Sequence, residues 1–334
     1  MPPEQATLSD IAASAGVSVS TVSKVLHART DVAPATRERI ARLLADHGYR
    51  PSRGSGVVDL VIGSLNSPWA DALVTGAVEA GAEADCRIVI DSVPDRADVL
   101  RHTLERIMAR GSDGVLLVHQ VPAAETRARL AAKRIPLVVI DPPAEPGPGI
   151  RSVGCTNWQG GLAATRHLIE LGHRRIAGVT GPLGVWSARA RFDGYRAALL
   201  EAGLPVAEEL IRRADFFAPD GRAGALALLD LPEPPTAVVA ANDGQAFGVL
   251  QALAERGLRA PADVSVTGFD DTPVAAWAAP PLTTVVQPLE AMAATAFRML
   301  RLHGEGGAAQ PEQVELATTL TVRESTGPPP SRTP

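Results

Sequence analysis

Apolar residues recur along this chain with two spacings, and the change from one to the other divides it. Up to about residue 50 the spacing is helical throughout: Ile11, Ala12 and Ala15 form one stripe, Val22, Val25 and Leu26 a second, and Ile40, Leu43 and Leu44, with His47, a third. Helix punctuation separates them. Thr7 can cap the first helix, with Asp10 near the positive end of its dipole. Gly16 can adopt the left-handed conformation that ends it. Ser18 suits the N-cap of a second helix over about 19–26. Pro34 fits the first turn of a third, and Gly48 closes it.

From Val57 onward, short apolar runs alternate with longer amphipathic stretches. The runs lie at 57–63, 87–90, 114–118, 136–140, 175–179, 237–240 and 264–268. Helices are predicted near 71–84, 98–110, 125–133, 159–171, 189–202, 221–229, 245–256 and 289–302. Such alternation predicts parallel sheets covered on both faces, with ligands at the carboxyl ends of the strands. More than two hundred residues of it suit two lobes with a cleft between them. The expected fold is therefore a small all-α helix-turn-helix head joined to a two-lobed α/β body.

Two short helices around a glycine turn, the second with Val19, Ser20 and Lys24 on its outer face, suit entry into a major groove about 12 Å wide. An ordinary packed helical hairpin would show much the same pattern. Charge favours the first reading modestly. Residues 1–53 hold seven Lys/Arg against five Asp/Glu, a local +2 in a chain of net −5. Lysine occurs only at positions 24 and 133, which draws attention to Lys24. Cys86 and Cys155 lack metal-type spacing and are expected to be buried thiols. Neither an export signal nor a membrane-length apolar run is visible, so the expected location is cytoplasmic, with no membrane partner.

The head residues form an ordered series: Thr7, Gly16-Val-Ser18, Thr21-Val-Ser-Lys24, Val25-Leu26, Thr36-Arg-Glu-Arg-Ile40 and Gly48-Tyr-Arg-Pro51. This series resembles the head of LacI/GalR-type repressors. The resemblance continues through Gly181-Pro182, Ser187-Ala-Arg-Ala-Arg191 with Gly194-Tyr195, Ala241-Asn-Asp243, Gly268-Phe-Asp-Asp271, Pro281-Leu-Thr-Thr284 and Gln287. It covers about residues 7 to 324. It implies a body like the periplasmic binding proteins, a dimer (with a tetramer left open), and base-facing roles for Val19, Ser20 and Lys24. Thr7, Ser18, Thr21, Ser23, His27, Arg50 and Arg53 complete the expected DNA-contacting set. The implied effector site comprises Asp141, Arg191, Asn242, Asp270 and Gln287.

The expected organisation is a head at 1–50 and a shortened linker at 51–56. The body at 57–324 has lobes of 57–156 plus 288–316 and 157–287 plus 317–324, followed by a disordered tail at 325–334. The linker departs from the resemblance. Only Ser52-Arg-Gly-Ser-Gly56 separates Pro51 from Val57, a reach of about 17 Å, with no leucine for a hinge helix. It either stays extended with Arg50 or Arg53 near phosphates or a narrow minor groove, or is a solvated tether.

Strand-end residues carry the expected ligand chemistry: Asp141, Asn242-Asp243 and Asp270-Asp271. Asp243 and Asp271 would serve equally well as helix caps. Carboxylates accept hydroxyl hydrogens, Arg191 donates in a fork, and Asn242 does both. Trp69 and Phe216, ahead of Trp186 and Trp277, are the aromatic candidates for an apolar sugar or nucleobase face. Near-balance of Asp141, Asp270 and Arg191 points to a neutral polyhydroxy effector, a sugar or nucleoside. No catalytic residue, metal site or cofactor is predicted. Gly178-Val-Thr-Gly181-Pro-Leu-Gly184 lacks the spacing of a dinucleotide loop, and Pro182 removes a phosphate-binding N–H. The expected function is a DNA-binding regulator, most simply a repressor; an activator or co-regulated protein is the alternative, ahead of a solute-binding protein or enzyme.

Overall fold

A computed structural model describes residues 8–26, 32–46, 55–94, 96–303 and 312–331. The chain divides into two compact units, 1–56 and 57–334. In the first, helices α1 (Leu8–Ala15), α2 (Val19–Leu26) and α3 (Pro34–Asp46) each contribute a fully buried branched side chain: Ile11, Val22 and Ile40. Ala12 and Ala15 fill the space between them, and Val17, Val25, Leu43 and Leu44 pack around the edge. Gly16 has φ +63°, while a Cβ there would meet nothing. The turn therefore requires glycine for its backbone conformation rather than for space. Ser18 Oγ accepts from Thr21 N at 3.2 Å, fulfilling its capping role for α2.

The second unit begins β1 (Val57–Ile62), α4 (Pro68–Glu83), β2 (Arg87–Ser92), α5 (Ala97–Arg110), β3 (Gly114–Val118), α6 (Ala124–Ala132), β4 (Leu137–Ile140) and β5 (Ser152–Cys155). It continues with α7 (Asn157–Glu170), β6 (Ile176–Thr180), α8 (Trp186–Glu201), β7 (Ile211–Arg213), α9 (Ala218–Leu229), β8 (Ala237–Ala240) and α10 (Asp243–Glu255). It ends with β9 (Ser265–Asp270), α11 (Pro273–Trp277), β10 (Thr283–Val286), α12 (Leu289–His303), β11 (Gln313–Leu316) and β12 (Thr319–Thr321). Two six-stranded sheets result, ordered β11-β5-β4-β3-β1-β2 and β12-β10-β9-β8-β6-β7. All pairings are parallel except β10 with β12. The backbone passes between the sheets three times, after β5, after β10 and between β11 and β12.

Glycines set the closest helix packing. A Cβ on Gly161 of α7 would collide with the backbone carbonyl of Arg191 in α8, and one on Gly194 of α8 with that of Trp158 in α7. These two helices thus meet backbone to backbone. The same device joins α9 to α10, where Gly221 faces Gln245 and Gly248 faces Ala218.

Several elements are absent from the sequence expectation, notably β5, β7 and β10. Their residues, Ser152-Val-Gly-Cys155, Ile211-Arg-Arg213 and Thr283-Thr-Val-Val286, form no apolar run. Burial of β10 is possible because hydroxyls find internal partners, Thr284 Oγ1 donating to Asp243 at 2.6 Å. The tail expected to be disordered from residue 325 is instead strapped to the second sheet through its first residues. Ser325 is fully buried and its hydroxyl donates to Val266 O at 2.6 Å. Thr283 N donates to Ser325 Oγ at 2.8 Å, and Gly327 O accepts from His173 Nε2 at 2.9 Å. A proline-rich composition is compatible with such an extended, externally bonded strap. Both cysteines are buried free thiols. No described helix is long and apolar enough to cross a membrane.

Candidate functional site

In the second sheet the order of the parallel strands reverses between β6 and β8, and open parallel sheets bind ligands at that point, beyond the carboxyl ends. Arg191 reaches this edge from the second turn of α8. It is 7% exposed and almost fully engaged. Nε donates to Asn157 Oδ1 at 2.8 Å, Nη1 to Ala241 O at 2.7 Å and Asp270 Oδ1 at 3.4 Å, and Nη2 to Gln287 Oε1 at 3.1 Å. Its guanidinium carbon stands 3.6 Å from the centre of the Phe269 ring. Asn157 follows the first crossing between the sheets and Gln287 precedes the second, so Arg191 ties two crossings to the floor of the second lobe.

Asp270 ends β9 with φ +112°, and Asp141 follows β4 of the other sheet with φ +48°. Both side chains are buried. Burial pushes the Asp270 carboxyl well above the usual carboxylate range, with Arg191 opposing and Asp243 and Asp141 reinforcing the shift. Cys155 feels the same three groups, Arg191, Asp141 and Asp270, but burial dominates and raises its thiol. The structure therefore assembles Asp141, Arg191, Asp270 and Gln287 where the two sheets meet. A direct tie closes the same junction: Trp186 N, at the start of α8, donates to Pro143 O at 2.9 Å.

The other candidates are placed differently. Asn242 caps α10, accepting from Gln245 N at 2.8 Å and donating to Phe216 O at 3.0 Å. Its amide is occupied by helix and loop. Phe216 is half-buried, and its ring would block a Cβ on Gly181, at the end of β6. Trp69 is half-buried in the first turn of α4 and packs on the main core, whereas Trp277 is largely exposed on α11. Asn157 carries no signal in the sequence, because β5, which delivers it, has no apolar run.

Asp243 is one of the two proposed caps. Its carboxylate accepts from Thr272 N at 2.8 Å, Thr272 Oγ1 at 2.9 Å and Thr284 Oγ1 at 2.6 Å. Burial nonetheless prevails and pushes the carboxyl up to about 6. An acid whose folded value exceeds its unfolded value, near 4, contributes stability below about pH 4 that is lost as pH rises through about 6. Denaturation between pH 4 and pH 8 is expected to show the wild-type chain losing about 2–3 kcal/mol relative to Asp243→Asn. Parallel pH profiles would refute this.

In the head, α2 presents Val19, 44% exposed, with Ser20 and Lys24 also exposed, while Val22 points inward. Thr21 is half-buried and bonded to Ser18. Thr7, His27, Arg50 and Arg53, the side chain of Ser23, and linker residues 51–54 lie outside the described residues.

Residues 7–52 match the family described as bacterial regulatory proteins, lacI family, and residues 165–326 match a periplasmic binding protein-like domain. The HTH-type transcriptional regulator CelR of Thermobifida fusca is 35% identical, over 96% of this chain and 98% of its own. A solved structure described as a transcriptional regulator CelR–cellobiose complex superposes with a TM-score of 0.74 at 35% identity, covering 96% of this chain and 99% of the other. A lac repressor dimer bound to operator and the anti-inducer ONPF gives 0.72 at 28% identity, with 97% and 100% covered.

Proposed function

Since the chain belongs to the LacI family of bacterial regulatory proteins, we propose that it is a cytoplasmic repressor whose dimer binds a pseudopalindromic operator and responds to a neutral polyhydroxy effector. It is a DNA-binding transcriptional regulator and not an enzyme, as its relatives are. The observation that carries the effector reading is the buried Arg191–Asp270–Gln287 network, which meets Asp141 from the other sheet. One arginine against two buried carboxylates leaves no surplus positive charge for an anionic ligand, and hydroxyls satisfy such acceptors. The relative whose solved structure is a complex with cellobiose supports a sugar.

One head reads too few base pairs to act alone. A dimer would place two α2 helices in half-sites about 34 Å apart, or a multiple of that spacing. Effector binding would close the lobes, and a coupling of about 1–3 kcal/mol would change operator affinity about 5–150-fold. Selection of bound sequences from a random DNA pool is expected to return a pseudopalindrome, and recovery of single half-sites would refute the dimer. On that operator Lys24→Ala is expected to weaken specific binding by about 1–3 kcal/mol if Lys24 reads a guanine. If instead it pairs with a phosphate, affinity falls uniformly across sequences and the salt slope drops by about one. Effector affinity stays unchanged in either case.

A further inference from the structure

In the first sheet the strand order likewise reverses, between the parallel strands β1 and β3 in the order β5-β4-β3-β1-β2. On its carboxyl edge stand, side by side, Asp141 after β4, His119-Gln120 after β3, Gly63 after β1 and Val93 after β2. His119 has φ +57°, a conformation uncommon outside glycine that is held where the surroundings impose it. Its backbone N–H donates to Ile140 O at 2.9 Å. Its Nδ1 lies 3.0 Å from the carbonyl oxygen of Asp141 and 3.9 Å from the Asp141 carboxylate. A carbonyl only accepts, so Nδ1 carries the hydrogen, and whenever the ring carries a single hydrogen Nε2 is left with its lone pair. The His119 side chain is 35% exposed, so that lone pair belongs to a ring open to ligand or water.

Gln120 repeats the pattern. Its Nε2 donates to Val93 O at 3.0 Å, which fixes the amide so that Oε1 is the remaining end. That oxygen is buried without a hydrogen-bond partner, in a residue only 5% exposed. Across the switch point Gly63 presents no side chain, and its missing Cβ would lie 4.0 Å from Gln120 Nε2. This edge thus carries three acceptors, the Asp141 carboxylate, His119 Nε2 and the buried Gln120 Oε1, whereas Arg191 opposite has given four of its five N–H groups to protein.

We propose that His119 and Gln120 form, with Asp141, an acceptor wall that selects effectors by the hydrogens their hydroxyls donate. His119 is then a specificity-determining residue of the first lobe. The inference rests on the reading of the junction as an effector site and adds a sign to it: the ligand meets the first lobe as a donor.

The experiment is calorimetric titration of the full chain with cellobiose, D-ribose and D-glucose, then with monodeoxyfluoro analogues of whichever binds. Fluorine approximates the size of a hydroxyl but donates nothing. At the hydroxyl facing His119, fluorine is expected to weaken wild-type binding about tenfold. That penalty is expected to vanish in His119→Asn, whose side chain tolerates positive φ. A penalty unchanged in His119→Asn overturns the assignment, while loss of binding in Arg191→Ala would still uphold the junction as the site. Failure of the wild type to bind all three sugars overturns the donor-rich ligand class and the wall with it. Nitrogen NMR of the wild-type ring supplies a measurement independent of any variant. The Nδ1–H tautomer supports the proposal, and an Nε2–H tautomer overturns it.

Discussion

Arg191→Ala is expected to abolish the effector response and to lower the stability of the 57–334 unit by about 3–5 kcal/mol. Both effects follow from the same four hydrogen bonds. Removing the guanidinium leaves the buried Asp270 carboxylate without its cation and strands the amides of Asn157 and Gln287. Asp270 can limit the loss by taking up a proton, since burial already holds its carboxyl well above the usual range. The Asn157 and Gln287 bonds have no such remedy. Operator binding is expected to persist, because the head has its own core of Ile11, Val22 and Ile40. Urea denaturation together with operator anisotropy, with and without sugar, checks this. A variant that still releases operator on sugar addition would show that Arg191 is not part of the switch.

Gly161→Val is expected to cost more than about 3 kcal/mol, above the usual range for overpacking. The added carbon meets the backbone carbonyl of Arg191, and backbone cannot rotate aside as a side chain can. Either α7 and α8 separate or the lobe fails to fold. Separation would also carry Arg191 away from Ala241 and Asp270, so the variant would lose effector binding even where it folds. Gly184→Ala is the control. Its Cβ meets nothing, and its melting temperature should stay close to that of wild type. Equal effects of the two substitutions would refute the account of helix packing.

The elements legible in the sequence were those whose burial is written in apolar side chains. Val115, Leu116 and Leu117 of β3 show the fully apolar signature of a strand buried on both faces. By contrast, β10 is buried over its first three residues but opens with Thr283 and Thr284, whose hydroxyls are satisfied by tertiary partners that no local pattern reveals. Asp141, Arg191, Asp270 and Gln287 were singled out and are brought together at the junction. Asn242 shows the limit of that reasoning: a polar residue at a strand end is also an N-cap, and the geometry uses it as one. His119 and Gln120 follow a predicted strand but give no signal of their own, since neither carries the fixed charge that marks Asp141. Their significance depends on which end of each side chain a neighbouring carbonyl occupies.

The three passages of backbone between the sheets have a mechanical consequence. A single tether would act as a ball joint and permit rotation about any axis; three tethers side by side, with Thr156 bonded to Thr318 and Arg191 bonded to both Asn157 and Gln287, act as a door hinge and leave one easy rotation. Arg191 bonds to Asn157 and Gln287 on two of these passages, so a ligand that pulls on it pulls on the hinge pin rather than on the door. Opening and closing should then follow one coordinate, and a distance probe across the lobes should relax with a single rate.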